Sequence, residues 1–468
     1  MGGTVELPLW VVLLGTAFAV IALIDRVVGP YVRWFFRKRF YRAIDEINDR
    51  LQLKIQPFKL TKRLVLIDRL AYDVEVQAAV EAHMGESGEP RDVVMARVER
   101  YAREIVPSFS AFTYFSVGTR VARLITRSLY RVRLGAFNEE VLAGVDRDAA
   151  VVFVINHRSN TDYLLVTYLA ATRSALSYAV GEWARIWPLS PIVRAMGAYF
   201  IRRRSRDALY RRVLARYVRM ATDAGVTQAI FPEGRLSRDG RLALPKLGLL
   251  SYIMTGFDPA GRDVVFIPVG LNYDRVLEDR VLTGGRKQDG TPHFPVNIRT
   301  TAAVLARLIW RRTTGRSYRF GYACVSVGEP LSLKAFLARA PGGNPATNPG
   351  GNTVAKLGLE LSARIGRVIP VLPVSLVATV FLASDRALSM TDVKAAAAGL
   401  WERLQAVGAH SHIPGDSLDY AVEFGLRMLT LRGLVTETEG VYAAAPEETG
   451  LLRYYANSIA HLVPEEPA

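Results

Sequence analysis

The chain has 468 residues, of which 50% are hydrophobic and 22% charged. That composition excludes disorder as the default state and suffices for two or three domains around at least one large core. A formal net charge of +16 selects anionic partners, and the single cysteine, Cys324, excludes an internal disulfide framework and any cysteine-based zinc cluster, as in a reducing compartment.

From Leu7 to Ile24 no residue is charged. As a helix this stretch reaches about 27 Å, close to a hydrocarbon core of roughly 30 Å, and it predicts a membrane anchor over residues 1–30. Met1 to Glu6 lacks a basic residue, which is wrong for a cleaved signal peptide. Arg26, Arg33, Arg37, Lys38, Arg39 and Arg42 follow the span. The positive-inside rule then puts the remainder on the cytoplasmic side of an inner or plasma membrane. A buried core helix is the competing reading.

Residues 40–105 read as charged helices, broken by the turn Gly85-Glu86-Ser87-Gly88-Glu89-Pro90. From Phe109 to Leu134, Arg120, Arg123, Arg127 and Arg131 recur every three or four residues between Val121, Leu124, Ile125 and Leu129. The pattern predicts a basic amphipathic helix. A solvated face over a protein core would give the same spacing; Phe112, Tyr114 and Phe115 favour contact with an anionic membrane surface. Residues 31–135 are therefore expected to form a helical region at the membrane interface.

Beyond residue 148 the texture changes. Ala149–Ile155, Ala198–Ile201, Gln228–Phe231 and Val264–Val269 are short continuous apolar runs separated by helical stretches. Such runs read as strands buried on both faces, and the interleaved helices make them parallel. The expected fold over residues 136–340 is α/β, a mixed and mostly parallel sheet flanked by helices. Pro341 to Asn352 is rich in Pro, Gly and Asn and reads as a flexible linker over 341–353. Residues 354–367, and Ala387 to the end, read as helical, so 354–468 is expected to be a helical region.

Each apolar run is followed by a polar cluster, at the strand ends where open α/β sheets place ligands. Asn156-His157-Arg158-Ser159-Asn160-Thr161-Asp162 follows the first run. His157 and Asp162 are five apart and share no helix face, so a strand-to-helix turn must bring them together. The carboxylate would then fix the imidazole tautomer and leave the other nitrogen as a base for a hydroxyl. That spacing alone fits a surface turn equally well. The second run ends in Arg202, Arg203 and Arg204, whose planar donor forks suit a phosphate, although a solvated charge run is the common alternative. The third opens Pro232-Glu233-Gly234-Arg235-Leu236-Ser237-Arg238, and the fourth contains Pro268 and is followed by Asn272, Tyr273, Asp274, Arg275 and Glu278.

In this order the four blocks resemble the motifs of the glycerolipid acyltransferase superfamily, and in particular its bacterial glycerol-3-phosphate 1-O-acyltransferase branch. Ile105-Val106-Pro107-Ser108-Phe109 and Asp419-Tyr420-Ala421-Val422-Glu423-Phe424-Gly425 point to the same branch. The resemblance covers residues 100 to 435. It implies transfer of a fatty acyl group from acyl-CoA or acyl carrier protein to the sn-1 hydroxyl of glycerol 3-phosphate, giving lysophosphatidic acid without an acyl-enzyme. It further implies His157 as general base with Asp162 behind it, and Arg158, Ser159, Arg202, Arg203, Glu233, Gly234, Arg235, Ser237 and Arg238 around the glycerol phosphate. Pro268 would lie on the acyl side. The third block departs from Glu-Gly-x-Arg-Ser, because Leu236 stands where an arginine is expected; either Arg235 or Arg238 takes over, or the acceptor differs.

His410 and His412 lack an acidic or cysteine partner at ligand spacing, Cys324 lacks a nearby base, and no Gly-rich phosphate loop occurs. No metal or cofactor is expected. The alternatives are another phosphorylated acceptor, dihydroxyacetone phosphate or lysophosphatidic acid, and a non-catalytic basic membrane-binding protein. Nucleic acid is not expected as a partner, since no binding module is recognisable.

Overall fold

The protein is described by a computed structural model. It covers residues 55–170, 175–181, 189–202, 205, 207–284, 320–339, 351–412 and 417–463. The anchor expected over residues 1–30, Arg203, Arg204 and most of the linker lie outside the described residues.

Among the described residues a single helical turn, Pro57–Leu60, precedes three longer helices, α1 (Arg63–Ala71), α2 (Val74–Ser87) and α3 (Arg91–Ile105). The expected turn between the last two is present: Gly88 takes φ 69°, a left-handed cap that favours glycine, and Pro90 starts the next helix. Leu70, Val94, Val98 and Tyr101 from these helices share one buried cluster with Val152 and Val154 of the sheet and with Tyr210 and Tyr217. This helical region is thus continuous with the core of the α/β unit.

The basic amphipathic helix is shorter than expected. A π-helical stretch (Thr113–Gly118) leads into α4 (Thr119–Leu129), and Arg131, read above as part of the helix, belongs to strand β1 (Arg131–Leu134). Tyr130 breaks the helix by turning to an extended conformation, and β1 pairs in register with Tyr322 to Val325. A strand partner distant in sequence overrides the helical periodicity here.

The apolar runs form β2 (Ala150–Ile155), β4 (Tyr199–Phe200), β5 (Gln228–Ile230) and β6 (Val264–Tyr273), joined by β3 (Ser177–Val180), β7 (Tyr322–Val327) and β8 (Leu331–Ser332). The order across the sheet is β1-β7-β6-β2-β5-β3-β4, with β8 also on β6. From β6 to β4 all neighbours are parallel; β6 meets β7 and β8 antiparallel. The fold is mixed α/β with a mostly parallel sheet flanked by helices, and all ten residues of β6 are buried. Pro268 sits inside β6 where a ladder donor is lost. Its carbonyl accepts from Gly328 at 2.8 Å, so its nitrogen faces the same edge, between the stretch paired with β8 and the stretch paired with β7.

Helix α5 (Asp162–Ala170) follows β2, and α6 (Ala208–Asp223) and α7 (Gly248–Met254) pack on each other. Helix α8 (Gly351–Val368) crosses β6 at Gly270, where a Cβ would stand 2.5 Å from the Val368 carbonyl oxygen; glycine is required by that approach. Helices α9 (Pro373–Leu382), α10 (Met390–Ala406), α11 (Leu418–Thr430) and α12 (Thr449–Ala456) complete the chain. The helical reading from Ala387 onward is corrected at two places. Strands β10 (Val435–Thr438) and β11 (Val441–Ala444) form a hairpin, and β9 (Leu388–Ser389) pairs with it. Its turn residues Glu439 and Gly440 both have positive φ, 52° and 79°, the geometry of a tight hairpin between β-branched flanks. Among the described residues no helix is long and apolar enough to cross a membrane.

Candidate active site

The end of β2 is clamped before the polar turn begins. The Asn156 side-chain amide donates to the Leu271 carbonyl at 2.9 Å and accepts from the Leu271 N–H at 2.7 Å, which extends the β2–β6 pairing past Ile155. The chain then turns, and Asp162 becomes the first residue of α5, where a carboxylate is favoured by the unpaired N–H groups. His157 Nδ1 donates to Asp162 Oδ2 at 2.9 Å; both side chains are buried. The same oxygen accepts the N–H groups of Arg158 (2.7 Å) and Ser159 (3.0 Å), and Oδ1 accepts the Tyr273 hydroxyl at 2.6 Å. Four donors hold this carboxylate as an acceptor, so the Nδ1 proton stays on the imidazole and Nε2 is left to take another. Phe231 stacks on the imidazole at 4.3 Å and Tyr163 meets it edge-on at 5.6 Å.

The third block closes on this turn. Glu233 Oε1 accepts the His157 N–H at 2.8 Å and Oε2 the Ala243 N–H at 3.2 Å. Burial pushes its carboxyl up to about 7, against the pull of those two hydrogen bonds. The Ser237 N–H donates to the His157 carbonyl at 3.0 Å, and the Ser237 hydroxyl donates to the Arg241 carbonyl at 2.8 Å. Gly234 is left-handed with φ 65°. Glu233, Gly234 and Ser237 therefore build the turn, while Arg235 and Arg238 beside them are exposed and Leu236 is half-buried.

Two predicted phosphate ligands are engaged inside the protein. Arg202 fits its fork onto Glu104 of α3, Nε and Nη2 donating at 2.9 and 2.6 Å, between the rings of Tyr101 and Tyr210. Arg158 is buried over Tyr454 of α12, and Nη1 donates to the Gly240 carbonyl. Ser159 donates to Glu278 Oε2 at 2.7 Å. Pro268 lines a cleft of ≈ 400 Å³ with Phe137, Gly328, Arg364, Arg367 and His410.

Residues 137–272 match the Acyltransferase family, and residues 307–466 match the Glycerol-3-phosphate acyltransferase C-terminal region. The chain is thus similar to acyltransferases over its central part and to glycerol-3-phosphate acyltransferases over its C-terminal part. Among similar proteins, a glycerol-3-phosphate acyltransferase of Aeromonas hydrophila is 28% identical over 88% of this chain and 51% of its own length. That of Xanthomonas campestris is 27% identical over 87% and 46%, and a Mycobacterium tuberculosis protein named as an acyltransferase is 28% identical over 88% and 64%. The chain spans between about half and two-thirds of the length of these relatives. A solved 1-acyl-sn-glycerophosphate acyltransferase from Thermotoga maritima aligns with 64% of this chain and 97% of that one at 18% identity and a TM-score of 0.30.

Sequence reasoning assigned no role to Tyr273 or Glu278, though both stand at or just after the end of the fourth strand. It read α12 as helical but had no signal that Tyr454 of that helix touches the first block, or that the neighbouring Asn457 donates to the Asp239 carbonyl at 2.7 Å.

Proposed function

We propose that the protein transfers a fatty acyl group from a thioester, acyl-CoA or acyl carrier protein, to the sn-1 hydroxyl of glycerol 3-phosphate. The observation that carries this reading is the buried His157–Asp162 pair at the end of a parallel strand, in a chain whose relatives include glycerol-3-phosphate acyltransferases. His157 Nε2 takes the hydroxyl proton, the oxygen attacks the thioester carbonyl, and the C–S bond breaks as the proton passes to the leaving thiolate. Ester and thiol are the products, and no acyl-enzyme forms. Arg203 and the exposed Arg235 and Arg238 are the cations assigned to the acceptor phosphate, since Arg202 is already satisfied by Glu104. Pro268 is assigned to the acyl side.

The same reading places the protein on an anionic membrane, with the catalytic unit on the cytoplasmic side. Phe112, Val117, Val121 and Leu124 are exposed, the last three at helical spacing on one stripe, with Arg120, Arg123 and Arg127 beside it.

Purified protein incubated with labelled glycerol 3-phosphate and each acyl donor tests the activity. Lysophosphatidic acid is expected, and its loss on His157→Ala with binding to anionic vesicles retained. Turnover that survives His157→Ala overturns the mechanism; acylation of dihydroxyacetone phosphate or lysophosphatidic acid instead reassigns the acceptor.

A further inference from the structure

Two side chains of the stretch after the fourth strand reach back to the catalytic turn. The Tyr273 hydroxyl donates to Asp162 Oδ1 at 2.6 Å, and Tyr273 is fully buried beside Tyr130, ring centroids 5.2 Å apart. Burial, then the Asp162 charge, pushes its phenol well up, so the hydroxyl remains a donor. Glu278 holds the turn from outside: Oε2 accepts the Ser159 hydroxyl at 2.7 Å and Oε1 the Asn160 N–H at 3.2 Å. Both residues are themselves anchored. Tyr273 ends β6, and the segment between them is fixed by Tyr455 of α12, whose hydroxyl accepts the Val276 N–H at 3.1 Å and donates to the Asp279 carboxylate.

Geometry separates their tasks. His157 Nδ1 and Tyr273 bind different oxygens of one carboxylate, so Tyr273 fixes the rotation of Asp162 about its own side-chain axis. Glu278 fixes Ser159 and Asn160, the two residues at the apex of the loop joining His157 to Asp162. These hydrogen bonds go to the carboxylate and to the turn, not to the imidazole.

We propose that Tyr273 and Glu278 are positioning residues for acyl transfer, Tyr273 setting the Asp162 carboxylate and Glu278 the turn that carries it, so that His157 is held in one tautomer. The proposal rests on the functional reading above for its kinetic consequences, but not for its structural one. Tyr273→Phe removes one donor at constant volume and lowers kcat about tenfold, as expected for a charge-assisted hydrogen bond. Glu278→Ala strands a hydroxyl and an N–H and lowers kcat about a hundredfold. Glu278→Gln keeps an acceptor and recovers at least about tenfold of that loss. KM for both substrates stays within about threefold throughout, because neither side chain belongs to the cations assigned to the acceptor phosphate or to the acyl side.

The deciding measurement is the nitrogen spectrum of protein labelled with ¹⁵N-histidine. Only six histidines contribute, and the His157 signals are those lost in His157→Ala. In the unaltered protein they report a single tautomer protonated at Nδ1; in Tyr273→Phe and Glu278→Ala a second tautomer appears, and Glu278→Gln reduces it. Lost turnover with an unchanged tautomer overturns the proposal, as does unchanged kcat in both variants. If Glu278→Ala does not fold, Tyr273→Phe and Glu278→Gln decide. If the unaltered protein acylates none of the tested acceptors, the functional reading fails while the tautomer comparison still stands.

Discussion

Glu233 accepts the backbone N–H of His157 at 2.8 Å, which ties the third block to the catalytic turn through the main chain. Replacing Glu233 by alanine leaves the buried His157 N–H and the partly buried Ala243 N–H without their acceptor. We expect turnover to fall about a hundredfold, with a smaller loss in Glu233→Gln, which keeps one acceptor oxygen. Initial rates with labelled glycerol 3-phosphate, beside circular dichroism to check folding, measure it. Equal rates in all three proteins would remove Glu233 from the site.

Arg202 and its neighbour Arg203 should separate. Arg202 is paired with Glu104 and packed between two tyrosines, so Arg202→Ala is expected to lower Tm by a few degrees and to change KM for glycerol 3-phosphate by less than about threefold. Arg203→Ala is expected to raise that KM about tenfold or more and to leave KM for the acyl donor unchanged. The reverse pattern would show that Arg202 leaves Glu104 to hold the acceptor.

Asp274 gives a pH signature apart from catalysis. Its carboxylate is fully buried and accepts the N–H groups of Tyr322 (2.7 Å) and Val374 (3.0 Å), and burial pushes it up to about 7. Because the folded state binds this proton more tightly than the unfolded chain, the linked stability is fully present below the ordinary carboxylate range and is lost as pH rises through about 7. Glu233 titrates in the same direction and window. Relative to Asp274→Asn, the unaltered protein is expected to gain Tm as pH falls from about 8 to 5. A constant difference between the two melting curves across that range contradicts the linkage.

Gly240 tests how tightly α12 is seated on the third block. It has φ 87°, and a Cβ would stand 1.9 Å from the Tyr454 carbonyl oxygen, a backbone atom that cannot swing aside. Gly240→Ala should cost about 2–4 kcal/mol through strain and displacement of α12, visible as a lowered Tm and denaturation midpoint. Gly399, with nothing within 4 Å of its added Cβ, is the control, and alanine there should be neutral or slightly stabilising.

How far the sequence could be read depended on whether its signals were local. The runs at β2, β5 and β6 were legible because strands buried on both faces need continuous apolar residues, and the His157–Asp162 turn followed from its place after β2. Strand β1 was hidden, since Arg131 to Leu134 acquire their conformation only by pairing with β7, nearly two hundred residues away. The hairpin at Val435 carried a signal, alternating β-branched residues around Glu439-Gly440, which the helical texture before it masked. The surroundings of Arg158 and Arg202 were not legible for one reason: residue type shows that a guanidinium can bind phosphate, but not that Arg158 lies over Tyr454 with Nη1 on the Gly240 carbonyl, or that Arg202 is paired with Glu104.

The shared buried cluster of α1 to α3 and the sheet bears on how the chain can be divided. A fragment cut to residues 137–272 would keep His157, Asp162, Glu233 and Pro268 yet lose Tyr273 and Glu278, β1 and β7 from the antiparallel side of the sheet, and the cover that Leu70, Val94 and Tyr101 give to α6. The stretch that holds the His157–Asp162 pair therefore shares one buried core with helices on both sides of it in sequence, and cutting at its ends would expose that core to water.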